Sequence, residues 1–386
     1  MIYDANGNIL RRYPTLVGDG VTDDTAALQR IVNTYKYVQI PDGLKIKLTS
    51  TVEIDTSKLS LFDGGNSQFI VSGDFAAFEI SGSLVSGMSA EPSTLTDDII
   101  QNESMFVFKN CKIHSAAKNT GCGISISGSF QAVITENYLY ELNKGIEVDG
   151  VNRNLSINGN NIYKITSYGI HFMPGMNLHQ VNTNNNIITY CKYCIFADNV
   201  ENLINWTCVG NDIEVYDSQN VWQGSNRCIK VYMTDDGTEE SAITALTECV
   251  IAGNNIQAHS DALITFEMVG TDHKLLNHFN ITGNHIGNGK TYSILLDHCK
   301  GVSVSGNSAV AGSGSEYWLK VANCRDICIT GNSVRSVGGL VIGTGTINGI
   351  IITNNTGEYC SNKVNVTGAT VTGSIIKDNM LDGVAS

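Results

Sequence analysis

Positive charge is scarce in this chain: 24 Lys and Arg stand against 37 Asp and Glu, for a net charge of −13. That balance argues against a nucleic acid partner. It leaves an acidic polysaccharide open, because local contacts can hold sugars. No apolar run approaches the length of a bilayer span, which speaks against membrane insertion, and the opening MIYDANGNIL does not read as a signal peptide. The leucine lattice and helical segment of leucine-rich repeats are missing. So are matched cysteine pairs with histidine partners at metal-ligand spacing. The 11 cysteines include a C-x-x-C (Cys191, Cys194) and a C-x3-C (Cys324, Cys328). Most of them occupy strand positions otherwise filled by Ile or Val, as Cys328 does in DICITG. They read as small buried thiols rather than metal or redox centres. Many unpaired cysteines and no leader point to folding in a reducing cytoplasm.

What the chain has is a repeat, roughly [IVC]-x-[GN]-N-x-[IVL]. Its central residues are Asn137, Asn160, Asn185, Asn211, Asn254, Asn284, Asn307, Asn332, Asn355 and, more weakly, Asn379, at intervals of 23, 25, 26, 43, 30, 23, 25, 23 and 24 residues. A period in the low twenties with short alternating strands and glycine turns is the signature of a solenoid, and a parallel β-helix fits it. Each rung resolves into an asparagine strand, a second strand such as GIEVDG (145–150) or ALITFEMVG (262–270), and a third such as FNITG (279–283). Alternation places Ile146, Val148, Ile170, Phe172, Ile264, Phe266, Ile294 and Leu296 inside. The recurring asparagine is structural: at a tight bend its amide bonds the backbone and its own copy one rung on.

A solenoid must cover its open end. In Thr22-Asp23-Asp24-Thr25 the chain offers helix-capping side chains. A helical pattern follows with Ala27, Leu28, Ile31, Val32 and Tyr35 on its apolar face, then VQIPDGLKIKLTSTVEI as a turn between two strands that begin the coil. Residues 1–54 form the N-terminal segment with its capping helix, 55–381 the coil, and 382–386 a tail.

GDGVTDDTAALQ (18–29) followed by VQIPDG (38–43) resembles the opening of the pectate-lyase-like superfamily of right-handed parallel β-helices, and within it the bacteriophage tailspike depolymerases. The resemblance implies an all-β fold, a right-handed single-stranded parallel β-helix with a short N-terminal capping helix. It also implies action on a bacterial surface polysaccharide, a homotrimer, other phage tail proteins as partners, a place in the virion after assembly in the host cytoplasm, and no cofactor. Asp19, Asp23 and Asp24 belong to the fold signature and read as capping residues. The Asn-Thr-Asp, Asp-Asp and Gly-His-Gly motifs of polygalacturonases are absent. Arg227-Cys-Ile-Lys230 is only faintly similar to their Arg-Ile-Lys, and the calcium-binding aspartates of pectate lyases have no clear match.

The chemistry must therefore be sought on the coil. The two long intervals hold insertions near 216–227, 233–248 and 269–278, all flanking the second strand and able to wall its outer face. Trp222 in the first could stack on a sugar ring or anchor its loop onto the coil. Along the second strand the outward positions form two columns. One reads Glu147, His171, Phe196, Lys230, Thr265, Leu295, Lys320; the other reads Asp149, Met173, Asp198, Tyr232, Glu267, Asp297, Ala322. Stacked carboxylates repel, which splits their proton affinities as acid–base work requires. Rungs ~4.8 Å apart put Glu267 and Asp297 at the ~5 Å separation of a retaining glycosidase. Asp198 and Glu267, two rungs apart, fall at about 9–10 Å, near the upper end of the inverting range. Glu267 is expected as general acid, with Asp297 or Asp198 as its partner. His171, Lys230, Tyr232, Trp222, Asp149 and Arg227 are expected to bind substrate. A lyase would instead draw on Lys230, Tyr232, His171 and Arg227, and a non-catalytic adhesin on neither set. The DDGTEE loop (235–240) is a competing acidic cluster that could bind a cation.

Overall fold

The computed structural model describes residues 2–3, 9–11, 16–85, 95–103, 105–215, 226–234, 246–258, 262–269, 276–287, 289, 291–310, 317–335, 338–360, 362–381 and 384–385. They fall into two compact units, Met1–Asn182 and Thr183–Ser386.

The first unit contains the expected helix, Thr25–Thr34, which buries Ala27, Leu28, Ile31 and Val32. The capping is divided differently from expectation. Asp23 accepts the Thr25 N–H at 3.0 Å, whereas the Asp24 carboxylate turns back to the N–H groups of Val17 (2.7 Å) and Gly18 (2.9 Å). Asp24 occupies the N-cap position but makes no side-chain cap bond, because its carboxylate is spent on the backbone of Val17 and Gly18. Beyond the helix, strands of three kinds recur and pair in parallel with their copies. Lys45–Leu48, Gln68–Val71 and Lys112–Ser115 stack as asparagine-side strands. Ala76–Ser81, Cys122–Ser127, Lys144–Asp149 and Tyr168–Phe172 stack as second strands. Leu61–Asp63, Val107–Lys109 and Val133–Thr135 stack as third strands. Phe62, Phe69, Phe78 and Phe108 pack together inside, with Phe62 and Phe108 stacked at 5.1 Å.

The second unit repeats the plan. Its second strands are Tyr193–Asp198, Arg227–Thr234, Ile264–Val269, Ile294–Asp297 and Leu319–Ala322, in parallel register from one to the next. In the last two rungs, second and third strands run together as Gly339–Thr353 and Asn362–Lys377. All eight residues expected inside, four in each unit, are fully buried. At about 25 cal/mol per Å² of apolar surface, that repeated inward stripe supplies the main drive for each coil.

The asparagine ladder is present. In the second unit Asn211, Asn254, Asn284, Asn307, Asn332 and Asn355 each donate Nδ2–H to the Oδ1 of the next rung's asparagine at 2.9–3.0 Å. The same Oδ1 atoms also receive the preceding asparagine's backbone N–H. Each Nδ2 further donates to a backbone carbonyl, as Asn254 does to Cys208 at 2.9 Å. A buried amide with all its groups engaged is stabilising, whereas a half-satisfied one would cost about 1–3 kcal/mol. One rung is corrected by a residue: the ladder member is Asn186, not Asn185. Asn186 is fully buried and bonds Asn211 at 3.1 Å. Asn185 sits in the bend at φ 55°. The ladder asparagine lies two residues before the inward apolar residue, and that residue is the buried Ile188, while Ile187 is exposed.

The cysteines are unpaired and all buried except Cys328, which is half-exposed. Here alternation overturns the expectation: Ile327 and Ile329 point inward, so Cys328 faces out. Burial raises the thiols of Cys208 and Cys249 to about 12, so at these two the thiolate needed for metal binding or nucleophilic attack is disfavoured.

Candidate functional site

In the second unit the outward columns stand in the expected register. Phe196 pairs with Lys230 and Asp198 with Tyr232. Lys230 then pairs with Thr265 and Tyr232 with Glu267, followed by Thr265 with Leu295. Leu295 pairs with Lys320 and Asp297 with Ala322.

Lys230 is the centre of this surface. Its Nζ lies 4.9 Å from the ring centre of Tyr232, 5.5 Å from Phe196 and 5.9 Å from Tyr193. Tyr193 and Phe196 are themselves stacked at 5.0 Å. The three rings surround an ammonium that ion-pairs loosely with Glu267 at 4.0 Å. Desolvation lowers the Lys230 pKa from its ordinary value; Arg227 adds to the lowering, while Glu267 and Asp198 oppose it. Arg227 reaches the site through its register partner Tyr193, and its guanidinium is anchored on the Asn226 carbonyl at 2.9 Å. The Glu267 side chain keeps 34% of its surface exposed, so it is accessible to a ligand. Asp297 is more heavily engaged: its Oδ1 is 2.8 Å from His298 Nδ1 and accepts from Asn323 Nδ2 at 3.2 Å. Beside Lys230, Thr265 is only 1% exposed, and its hydroxyl lacks a hydrogen-bond partner among the described residues, leaving a polar point in the floor.

The structure thus gathers Asp198, Arg227, Lys230, Tyr232 and Glu267 on one outer face, with Asp297 further along it. His171 and Asp149 belong to the first unit. There His171 is 5% exposed, stacks on Tyr168 at 4.1 Å and meets Glu147 Oε1 at 3.3 Å. Asp149 is exposed and accepts the N–H of Gly150 at 2.7 Å. Trp222 lies outside the described residues, as do most of the three insertions and the DDGTEE loop. The described ends at Asn226, Thr234, Leu246, Val269 and Leu276 show where those insertions join the strands. Among the described residues no group of three or more His, Cys, Asp and Glu is arranged to hold a metal ion, and no helix is long and apolar enough to cross a membrane.

Sequence reasoning did not single out Tyr193 and Phe196 as walls of the Lys230 site, nor His298 and Asn323 as partners of Asp297. Phe196 stood in the first outward column and Tyr193 begins the same strand, so register carried the signal. Asn323 and His298 lie at bends, at φ 48° and 54°, where strand alternation gives no direction.

A family model described as "Right handed beta helix region" matches residues 70–239. The fold is a right-handed parallel β-helix. Solved structures agree with that architecture. The DFA-IIIase of Arthrobacter chlorophenolicus A6, solved as a point mutant in complex with DFA-III, superposes with a TM-score of 0.53 at 12% identity; the match covers 96% of this chain and 93% of that one. Tailspike protein 3 of bacteriophage CBA120 superposes with a TM-score of 0.50 at 14% identity, covering 94% of this chain and 60% of that one. No curated protein matches the chain by sequence. At such identities the likeness is one of fold.

Proposed function

We propose that this β-helix depolymerises a bacterial surface polysaccharide, cutting internal glycosidic bonds by hydrolysis with Asp198 and Glu267 as the acid–base pair. The observation that carries the reading is the register Asp198–Tyr232–Glu267. Two carboxylates flank one aromatic residue across two rungs, at about 9–10 Å. That leaves room for a water on one face of a sugar and a proton donor on the other, the geometry of inverting hydrolysis. Asp297, already engaged by His298 and Asn323, serves better as a positioning residue than as Glu267's direct partner. Arg227 and the caged Lys230 would hold an acidic substituent of the glycan, and Tyr193, Phe196 and Tyr232 would pack against ring faces. The tailspike-like opening motif supports assignment to a phage tail, as a homotrimer attached to other tail proteins.

A second reading, β-elimination at a uronic acid, draws on the placement of Lys230 among three aromatic rings, where desolvation lowers its pKa. A lysine that loses its proton more easily than usual is a candidate base, with Arg227 neutralising the substrate carboxylate. Under that reading the rate rises with pH as Lys230 deprotonates, and it reaches its plateau below the ordinary lysine range.

The deciding experiment is a product assay on a panel of capsular, exopolysaccharide and O-antigen glycans, scoring new reducing ends and the ultraviolet absorbance of unsaturated uronides. Reducing ends without absorbance establish hydrolysis; both signals together establish the lyase. Saturable binding with neither signal makes the protein a non-catalytic adhesin and overturns both enzymatic readings.

A further inference from the structure

A concave surface lies in the second unit on the asparagine-side sheet, not on the second-strand face that carries Lys230. It is a groove of about 750 Å³ over the strands Ser308–Val310, Ser333–Arg335 and Thr356–Glu358. Parallel register builds it. Ser308, Ser333 and Thr356 align in one outward column, and Val310, Arg335 and Glu358 in the next. Earlier in the same columns stand Asp212, Asn255 and His285 in the first and Glu214, Gln257 and Gly287 in the second. The trough opens where the first column shrinks to hydroxyls and the second has dipped to Gly287 and Val310 before the long Arg335 and Glu358.

The lining has a definite chemistry. Arg335 Nε lies 3.1 Å from Glu358 Oε2, with both side chains more than half exposed. An ion pair that exposed contributes little to folding. The Arg335 guanidinium also sits 5.7 Å from the ring centre of Tyr359, which is 66% exposed. A bare aromatic ring, a row of hydroxyls and a guanidinium with a carboxylate beside it are together what an oligosaccharide requires. The ring offers a face to the C–H side of a pyranose. The hydroxyls and carboxylate exchange hydrogen bonds with its OH groups, and the guanidinium can take a carboxylate or paired hydroxyls in bidentate fashion.

We propose that this groove is a non-catalytic glycan-binding site, separate from the candidate active site, with Tyr359 as its stacking platform and Arg335 as its polar anchor. Among the described lining residues Glu358 is the one carboxylate, without the second that glycoside hydrolysis uses, so the groove would hold a glycan without cutting it. Such a site would retain the protein on a polysaccharide between cuts at the other face, adding avidity without any contact at the catalytic residues.

The test uses the full chain on an immobilised array of bacterial capsular, exopolysaccharide and O-antigen glycans, comparing the unaltered protein, the double variant Tyr359→Ala/Arg335→Ala and the single variant Lys230→Met. At least one glycan that the Lys230→Met protein still binds should bind the double variant about tenfold more weakly. Because both groove residues are exposed, the double variant should keep the unaltered melting temperature. Binding by the double variant equal to that of the unaltered chain on every glycan overturns the proposal, as does an array on which nothing binds. A chain that binds through the groove yet cuts nothing would remove the enzymatic reading and leave this one standing.

Discussion

Outward positions of the second strand carry charges in both units, and the two sets behave in opposite ways. In the first unit Lys144, Glu147 and His171 close on one another. Lys144 Nζ is 3.0 Å from Glu147 Oε1, His171 Nδ1 is 3.3 Å from the same oxygen, and Glu147 is only 8% exposed. In the second unit Lys230 and Glu267 stand 4.0 Å apart with the glutamate one-third exposed. The same kind of strand thus holds a tightly paired cluster in one place and a loosely paired, accessible one in the other. A charge that has used its hydrogen bonds on its neighbours has little left for a substrate. Satisfaction, more than composition, separates a structural column from a candidate site.

The contrast can be broken by mutation. The largest expected effect is at Glu267: Glu267→Gln should lower kcat about 10²–10⁴-fold without moving the melting temperature, as read by the reducing-end assay and calorimetry. Full activity in that variant would remove Glu267 from the chemistry. Glu147→Ala should do the reverse. It removes the oxygen shared by the partly exposed Lys144 ammonium and the buried His171 Nδ1, so stability should fall by about 1–3 kcal/mol in denaturant titration, while cleavage by the protein that remains folded is retained. Lys230→Met, which keeps the apolar stem among the rings, should raise KM for a uronate-bearing glycan about tenfold and affect a carboxyl-reduced glycan less. Equal effects on the two would show that the ammonium is not reading an acidic group.

The smallest effect is in the pH dependence of folding. Burial pushes the Glu147 carboxyl up, but hydrogen bonds from His171 and Lys144 outweigh it and hold the group below its ordinary 4.5. A depressed carboxyl pKa means that this contribution to stability is complete above 4.5 and disappears as pH falls through the lowered value. Glu147→Gln should therefore flatten the acid limb of the stability curve, and an unchanged limb would show that the cluster does not contribute there.

Much of the coil was legible because its physics is periodic. The asparagine interval, the inward Ile and Phe positions and the register of the outward columns all follow from alternation in strands that stack on their own copies. That is why the neighbours of Lys230 and Glu267 could be aligned by counting. The errors came where counting meets a run of like residues or a bend. Asn185 and Asn186 differ only in which one precedes the inward isoleucine by two. Cys328 lies between two isoleucines that both need the core. Asp24 had a competing claim on its carboxylate from Val17 and Gly18.

The sequence by itself determined the architecture, since a short repeat of apolar alternation with an amide at each bend has one economical way to bury its stripe and satisfy its amides. Only the tertiary structure decided which surface charges are spoken for. Whether a carboxylate spends its hydrogen bonds at home depends on side-chain reach between rungs and on contacts at bends such as His298 and Asn323, and strand periodicity says nothing about either.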